Sequence, residues 1–259
     1  MKVLKTACAA LLAAFSAHAA AVGSLADVTL FDRSDGRQLP VYWHEGRAYV
    51  VGKPGNEYAV RIRHRQRGEL LGVISVDGVN VVTGENAAAA QSGYVLAPHR
   101  QVDIGGWRKN LDSTAAFYFT SLPDSYAART GRPDNVGVIG VAFYRRKEVP
   151  PPVAQPAPFA SGQLARKEAS RDTVAGAEAQ NAPRAAERDE RIGTGHGRIE
   201  ASQTRYVGFE RASSEPAEIV TLYYDSYRNL LARGIVPQLG QPRRPGPNPF
   251  PGFVADPPA

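Results

Sequence analysis

The chain has 259 residues, 43% of them apolar, and a formal charge of +6 that counts Lys2 and Lys5 near its start. That length suffices for one hydrophobic core with tails, and the mild basic excess is not the footprint of a nucleic-acid binder. The single cysteine, Cys8, excludes a disulfide within the chain, a thiolate zinc site and c-type haem attachment.

Met1 to Lys5 is a short basic start, Thr6 to Phe15 is apolar, and Ser16-Ala17-His18-Ala19 ends the run with alternating small residues. These are the three parts of a secretory signal peptide, and the apolar run is too short to cross a bilayer. Residues 1–19 are therefore expected to be a cleaved leader and the mature chain to begin at Ala20, in the periplasm or outside the cell. With Cys8 removed, thiol catalysis goes too.

Residues 20–147 read as strand after strand. Leu39–Trp43 and Ala48–Val51 flank a hairpin loop at His44–Arg47. In the next run Tyr58, Val60, Ile62 and His64 share one face, and Ala59, Arg61, Arg63 and Arg65 the other, the signature of a half-buried strand. Gly72–Val76 and Val79–Thr83 flank Asp77-Gly78, a pair that tolerates positive φ at both turn positions. Thr114–Ser121 and Val136–Tyr144 carry apolar residues on both faces, as central strands do. Short strands punctuated by Asp35-Gly36, Pro54-Gly55 and Gly105-Gly106 indicate an antiparallel β-sandwich or jelly-roll-like domain. A helical turn is predicted at 124–129, capped by Asp124 and stopped by Gly131.

Residues 148–191 are rich in Ala, Pro, Glu, Arg and Gln and hold one aromatic, Phe159. Such a stretch cannot bury enough surface to offset its ordering entropy, which predicts a disordered linker. From 192 to 236, Tyr206–Glu210 and Glu218–Tyr224 read as strands, followed by a short helix capped by Asp225 and stopped by Gly234. So small a segment cannot hold its own core, so it is expected to pack back onto residues 20–147 as one composite domain. The Pro-rich tail, 237–259, reads as disordered. The expected class is thus mainly β, with two short helices, a disordered linker and a disordered tail.

Chemistry is sparsely signalled. His44, His64, His99 and His196 show no metal-ligand spacing, so neither a metal site nor a cofactor is expected. His196 sits in Gly193-Thr194-Gly195-His196-Gly197-Arg198, whose alternating glycines let a ligand or a neighbouring strand approach the backbone. His196 is the one catalytic candidate, with Arg198 as an anion partner; the blander reading is a glycine-rich strand crossing the sheet. Arg61, Arg63 and Arg65 form a row that would meet anionic lipid or glycan, or else line the wet face of an edge strand. Trp107 and Arg108 would stack on a ligand, or Trp107 would anchor the core. No Gly-x-Ser-x-Gly elbow is present.

The runs YVVGKPGNEYAVRIR, VISVDGVNVVTG, GYVLAP, GWRKNLDSTAAFYF and LPDSYAARTGRPDNVGVIGVAFY, with the later IGTGHGR and YYDSYRNLLARG, resemble a family of uncharacterised exported proteobacterial proteins. The resemblance covers most of the ordered chain and implies a shared β-rich fold; it brings no activity, ligand or site with it. The expected function is a non-enzymatic envelope module that binds or scaffolds. Its partner would be an envelope protein or an anionic glycan or lipid surface, not nucleic acid. The alternative is a hydrolase or lyase acting on envelope polymers through His196.

Overall fold

The computed structural model describes residues 22–148 and 191–238. The expected leader, and nearly all of the expected linker and tail, lie outside the described residues. In chain order the strands are β1 (Ala26–Asp32), β2 (Arg37–Gln38), β3 (Val41–His44), β4 (Arg47–Gly52), β5 (Glu57–His64), β6 (Leu70–Val76), β7 (Val79–Asn80), β8 (Tyr94–Leu96), β9 (Gln101–Ile104), β10 (Gly106–Arg108), β11 (Ser113–Ser121), β12 (Val138–Arg145), β13 (Ile192–Ala201) and β14 (Glu218–Ser226). Two short helices, α1 (Tyr126–Arg129) and α2 (Tyr227–Ala232), complete the described α-structure.

The strands form two seven-stranded sheets that face each other as a sandwich. Sheet A runs β2-β1-β5-β11-β13, and sheet B runs β3-β4-β14-β12-β6-β7 with β8 also on β6. Alternation decides which side chains point inward. Val28, Leu30, Tyr58, Val60, Ile62, Phe117 and Phe119 of sheet A meet Val50, Ile74, Val76, Ile139, Val141, Phe143 and Leu222 of sheet B in one core.

Two hairpins form where their sequences place them. Glu45-Gly46 and Asp77-Gly78 all adopt positive φ, and the flanking pairs His44↔Arg47 and Val76↔Val79 close two-residue turns. β11 and β12 are interior strands, as their two apolar faces require. Beyond Tyr58 and Phe117 the strands β5 and β11 diverge. The gap is filled by the segment 101–108, whose first half (β9) pairs with β5 and second half (β10) with β11.

The segment that returns after residue 190 divides between the sheets. β13 borders β11 at the edge of sheet A, and β14 lies between β4 and β12 inside sheet B. The β4–β14 pair is parallel, the one departure from antiparallel pairing among the described strands. β14 arrives through a long crossover rather than a hairpin, so no turn forces its direction. It is also fastened at its start: both carboxylate oxygens of Glu218 accept from the backbone, from Ser24 N at 2.6 Å and Leu25 N at 2.7 Å.

Three local expectations are corrected. The helix caps sit one residue later than the acidic candidates. Ser125 and Ser226 accept from the N3 amides of Ala128 and Asn229, while Asp124 accepts from the Ser121 hydroxyl and Asp225 from Ser226 N and the Asn229 side chain. Residues 206–210 are not a strand. They join no ladder: the segment meets the end of β12 only through an isolated bridge at Arg146 and Arg211, with Lys147 N donating to Glu210 O, and its start is pinned to loops through Ser202 N to Asp112 O and Thr204 N to Leu111 O. β5 is not an edge strand, because β1 covers one side and β9 and β11 the other.

The outer face of sheet B carries two covers. At one end α2 and Ile235–Val236 pack on Tyr49, Tyr42 and Tyr223. At the other, Phe209 of the strap 202–211 lies over Leu71, Val73, Ala142 and Tyr144.

Candidate functional site

The arginine row on β5 is spent on neighbouring strands. Arg61 makes two bonds to Asp103, at 2.8 and 2.7 Å, and lies 3.9 Å from the centre of the Phe31 ring; Arg65 pairs with Asp27. Arg63 and Arg65 are both exposed, Arg65 while keeping its partner Asp27. The row is thus cross-strand pairing on an interior strand and not an open cationic face.

Trp107 is a core anchor. It is 4% exposed, packs edge-on against Phe117, lies 4.8 Å from the Tyr126 ring, and donates its indole N–H to Gly195 O. Stacking on a ligand is closed to it. His196 pairs in register with Phe117 and lies 5.6 Å from the Tyr126 ring on the inner side of β13. A bulge opposite Ala116 separates it from Arg198, which joins Glu57, Glu200 and Arg33 in an ion-pair cluster on the outer side. That cluster holds the Glu57 carboxyl below its usual range, chiefly through the Arg198 hydrogen bond. Burial, then Lys109 and Arg129, push the His196 pKa down. His196 and Arg198 therefore do not form one site, and the environment of His196 is aromatic and cationic.

The alternating glycines accommodate protein, not ligand. A Cβ on Gly195 would stand 2.2 Å from the Tyr118 ring, on Gly193 2.6 Å from Ser125 Cβ, and on Gly197 2.8 Å from the Ala116 carbonyl oxygen. This is the strand-crossing role of glycine.

A buried polar chain joins the sheets where sequence gave no warning. Asp77 sits at a hairpin turn, a position that usually faces water, yet it is 1% exposed. Its carboxylate accepts from Tyr224 OH at 2.6 Å, Thr194 N at 2.8 Å and Gly137 N at 3.0 Å. Thr194 Oγ1 lies 2.7 Å from Tyr224 OH and 2.6 Å from Tyr58 OH. Tyr224 gives its one proton to Asp77, so Thr194 donates to Tyr224 and Tyr58 donates to Thr194. Every proton has an acceptor only when Asp77 is ionised. Protonating it would reverse the chain and leave the Tyr58 proton unpaired. Burial raises the Asp77 pKa to about 6 against the pull of these donors, and burial and then Asp77 raise both tyrosines well above their ordinary value. The chain is sealed within the core, so it pins the sandwich and meets no substrate.

The open chemistry lies at the end of the sandwich where β8, the 108–111 turn and the strap 202–211 converge. A groove of about 810 Å³ there is bordered by Tyr94, Lys109, Leu111, Arg205, Tyr206 and Phe209, among others. A smaller cavity of about 270 Å³ continues it toward Arg100 and Asp103. Arg108 forms the partition. Its guanidinium bonds Tyr94 OH at 3.2 and 3.1 Å, Ser202 Oγ at 3.0 Å and the Ser202 carbonyl, latching the start of the strap. Arg146 donates to Gly208 O and pairs with Glu69, Arg211 donates to Gln91 O over the Tyr144 ring, and Lys147 pairs with Glu210. The strap is therefore fixed on both sides of Tyr206, which is 89% exposed. Lys109 and Arg205 have no ion-pair partner among the described residues. Of these groove residues the sequence singled out Arg108, though for stacking, and marked Tyr206 as part of a strand.

Among the described residues no cluster of three or more His, Cys, Asp or Glu is arranged to hold a metal ion, and no helix is long and apolar enough to cross a membrane. No family model, curated protein or solved structure matches the chain.

Proposed function

We propose that the protein is an exported, non-enzymatic binding module of the cell envelope, and that the groove beside residues 202–211 receives a segment of an acidic glycan. The observation that carries this reading is Tyr206, a large aromatic held out in water on a strap pinned at both flanks, with the unpaired cations Lys109 and Arg205 beside the same groove. An aromatic face suits the C–H surface of a sugar ring, and the two cations suit its carboxylates. Because the strap is already ordered, little conformational entropy is lost on binding. The leader-like start of the chain supports export. The hydrolase reading of His196 has no supporting contact, since its neighbours are Tyr126, Lys109 and Arg129.

The test is retention on immobilised polygalacturonate, with dextran as the neutral control, at low and high salt. Wild type is expected to be held on the acidic polymer and released by salt. Tyr206→Ala should weaken binding about tenfold, a loss of about 1.4 kcal/mol, and Lys109→Gln with Arg205→Gln should flatten the salt dependence. Equal retention of Tyr206→Ala and wild type, or no preference for the acidic polymer, overturns the reading.

A further inference from the structure

The α2 end of sheet B carries a second cavity, of about 140 Å³, walled by Arg47, Arg191, Arg233, Tyr49, Tyr223 and Asp225. Each wall residue is placed by a different rule. Arg47 is the first residue of β4, set outward by the Glu45-Gly46 turn. Arg233 follows the last turn of α2, just before Gly234 at φ 69° ends the helix. Tyr49 and Tyr223 are direct partners across the parallel β4–β14 pair, with rings 5.5 Å apart. The two arginines stack on these rings: Arg47 lies 5.5 Å from the centre of Tyr223, and Arg233 lies 5.1 Å from the centre of Tyr49 while donating to its hydroxyl at 3.2 Å.

The two stacked arginines are also without a carboxylate partner among the described residues, as Lys109 and Arg205 of the groove are. Arg33, Arg61, Arg65, Arg146 and Arg198 each pair with a carboxylate, whereas Arg47 and Arg233 do so with none among the described residues. The carboxylate in the wall, Asp225, is 8% exposed and already accepts from Ser226 N at 2.7 Å and Asn229 Nδ2 at 2.8 Å. Two guanidinium groups without a carboxylate partner among the described residues, Arg47 and Arg233, thus border a small cavity beside one occupied carboxylate. Planar guanidinium forks match the oxygen spacing of phosphate, and aromatic stacking holds them in place before a ligand arrives. The cavity, at about 140 Å³, is small and admits a compact oxyanion.

We propose that this cavity binds a single phosphate group, held by Arg47 and Arg233 with Tyr223 forming its floor. The phosphate belongs to a soluble ester or to a lipid headgroup; both present the same oxyanion. The site is independent of the glycan groove, from which it differs in every lining residue.

Inorganic phosphate, titrated against chloride at constant ionic strength and followed by calorimetry and thermal melting, tests the proposal on the full chain. Wild type is expected to bind saturably with Kd about 1 mM and to melt higher in phosphate. Arg47→Gln and Arg233→Gln should each weaken binding about tenfold or more, with melting in chloride close to wild type. Arg47→Gln lies on an exposed strand start and keeps the test valid should Arg233→Gln disturb α2. Lys109→Gln, in the groove, should leave phosphate affinity unchanged. Glycerol 3-phosphate competing with inorganic phosphate identifies soluble esters as the ligand class. Arginine-dependent retention on phosphatidylglycerol vesicles over phosphatidylcholine vesicles identifies the headgroup. A phosphate response no larger than that of chloride, or one that survives in the double variant, overturns the site.

Discussion

β14 enters sheet B between two strands, whereas β13 lies at the edge of sheet A beside β11. Both belong to the segment that returns after residue 190, yet they are held by opposite means. β14 fills space: Val220, Leu222 and Tyr224 point inward and are buried, and its outer Tyr223 stacks on Tyr49. β13 leaves space: Gly193, Gly195 and Gly197 make room for Ser125, the Tyr118 ring and the Ala116 carbonyl. One strand is secured by its side chains and the other by close backbone approach, and the Asp77 chain fastens both through Tyr224 and Thr194. A strand without an apolar face can therefore be as well specified as one that has it, provided its neighbours are shaped for its backbone.

The largest effect is expected from separating the returning segment from the rest. Cleavage within 149–190 should leave two fragments that migrate together on a sizing column without denaturant, because β14 bridges β4 and β12. Co-elution failing while the first fragment keeps its full near-ultraviolet signal would show that β14 is dispensable to sheet B.

Next in size is the contrast between the two strands. Leu222→Ala, at a fully buried position, should lower stability by about 3–4 kcal/mol. Ile199→Ala, on β13 at 59% exposure, should change it by less than about 0.5 kcal/mol. Urea denaturation of both variants measures this, and similar losses would mean that β13 is also held by its side chains.

The smallest expected effect concerns the residue that both strands share. The Asp77 pKa is raised from 3.8 to about 6 on folding. Below 3.8 the carboxyl is protonated in both folded and unfolded chains. Between that value and about 6 the folded chain holds the extra proton, so stability falls as pH rises across this window, by roughly 3 kcal/mol in total. Above it both states are ionised and the cost of the buried charge persists. Asp77→Asn should remove this slope, seen as the difference between the two stability-versus-pH curves. Parallel curves from pH 4 to 7 would place the folded pKa at its ordinary value.

Much of the fold was legible in the sequence because it rests on local rules. The Glu45-Gly46 and Asp77-Gly78 turns, the alternation from Tyr58 to His64 and the apolar runs of β11 and β12 all follow from chemistry within ten residues. What was not legible depends on distant partners. Asp77 looks like any turn aspartate until Thr194 and Tyr224 close over it. Tyr206–Glu210 has strand composition but joins no sheet, meeting the end of β12 only at the isolated Arg146–Arg211 bridge. The groove draws on β8, the 108–111 turn and the strap, with no motif in any one of them. The Arg47–Arg233 cavity joins residues nearly two hundred positions apart.

The position of β14 also sets an order of assembly. The ribosome delivers the chain from its N-terminus, and after residue 148 sheet B exists as two halves, β3-β4 and β12-β6, each with an unpaired border. The strand that lies between them in the finished sheet follows only after more than forty further residues. The hydrogen bonds from the backbone N–H groups of Ser24 and Leu25 to Glu218 span 194 and 193 residues, and contacts of such range form late and slowly. Sheet B is thus completed only when nearly all of the chain has been made, although most of sheet A can pair before then.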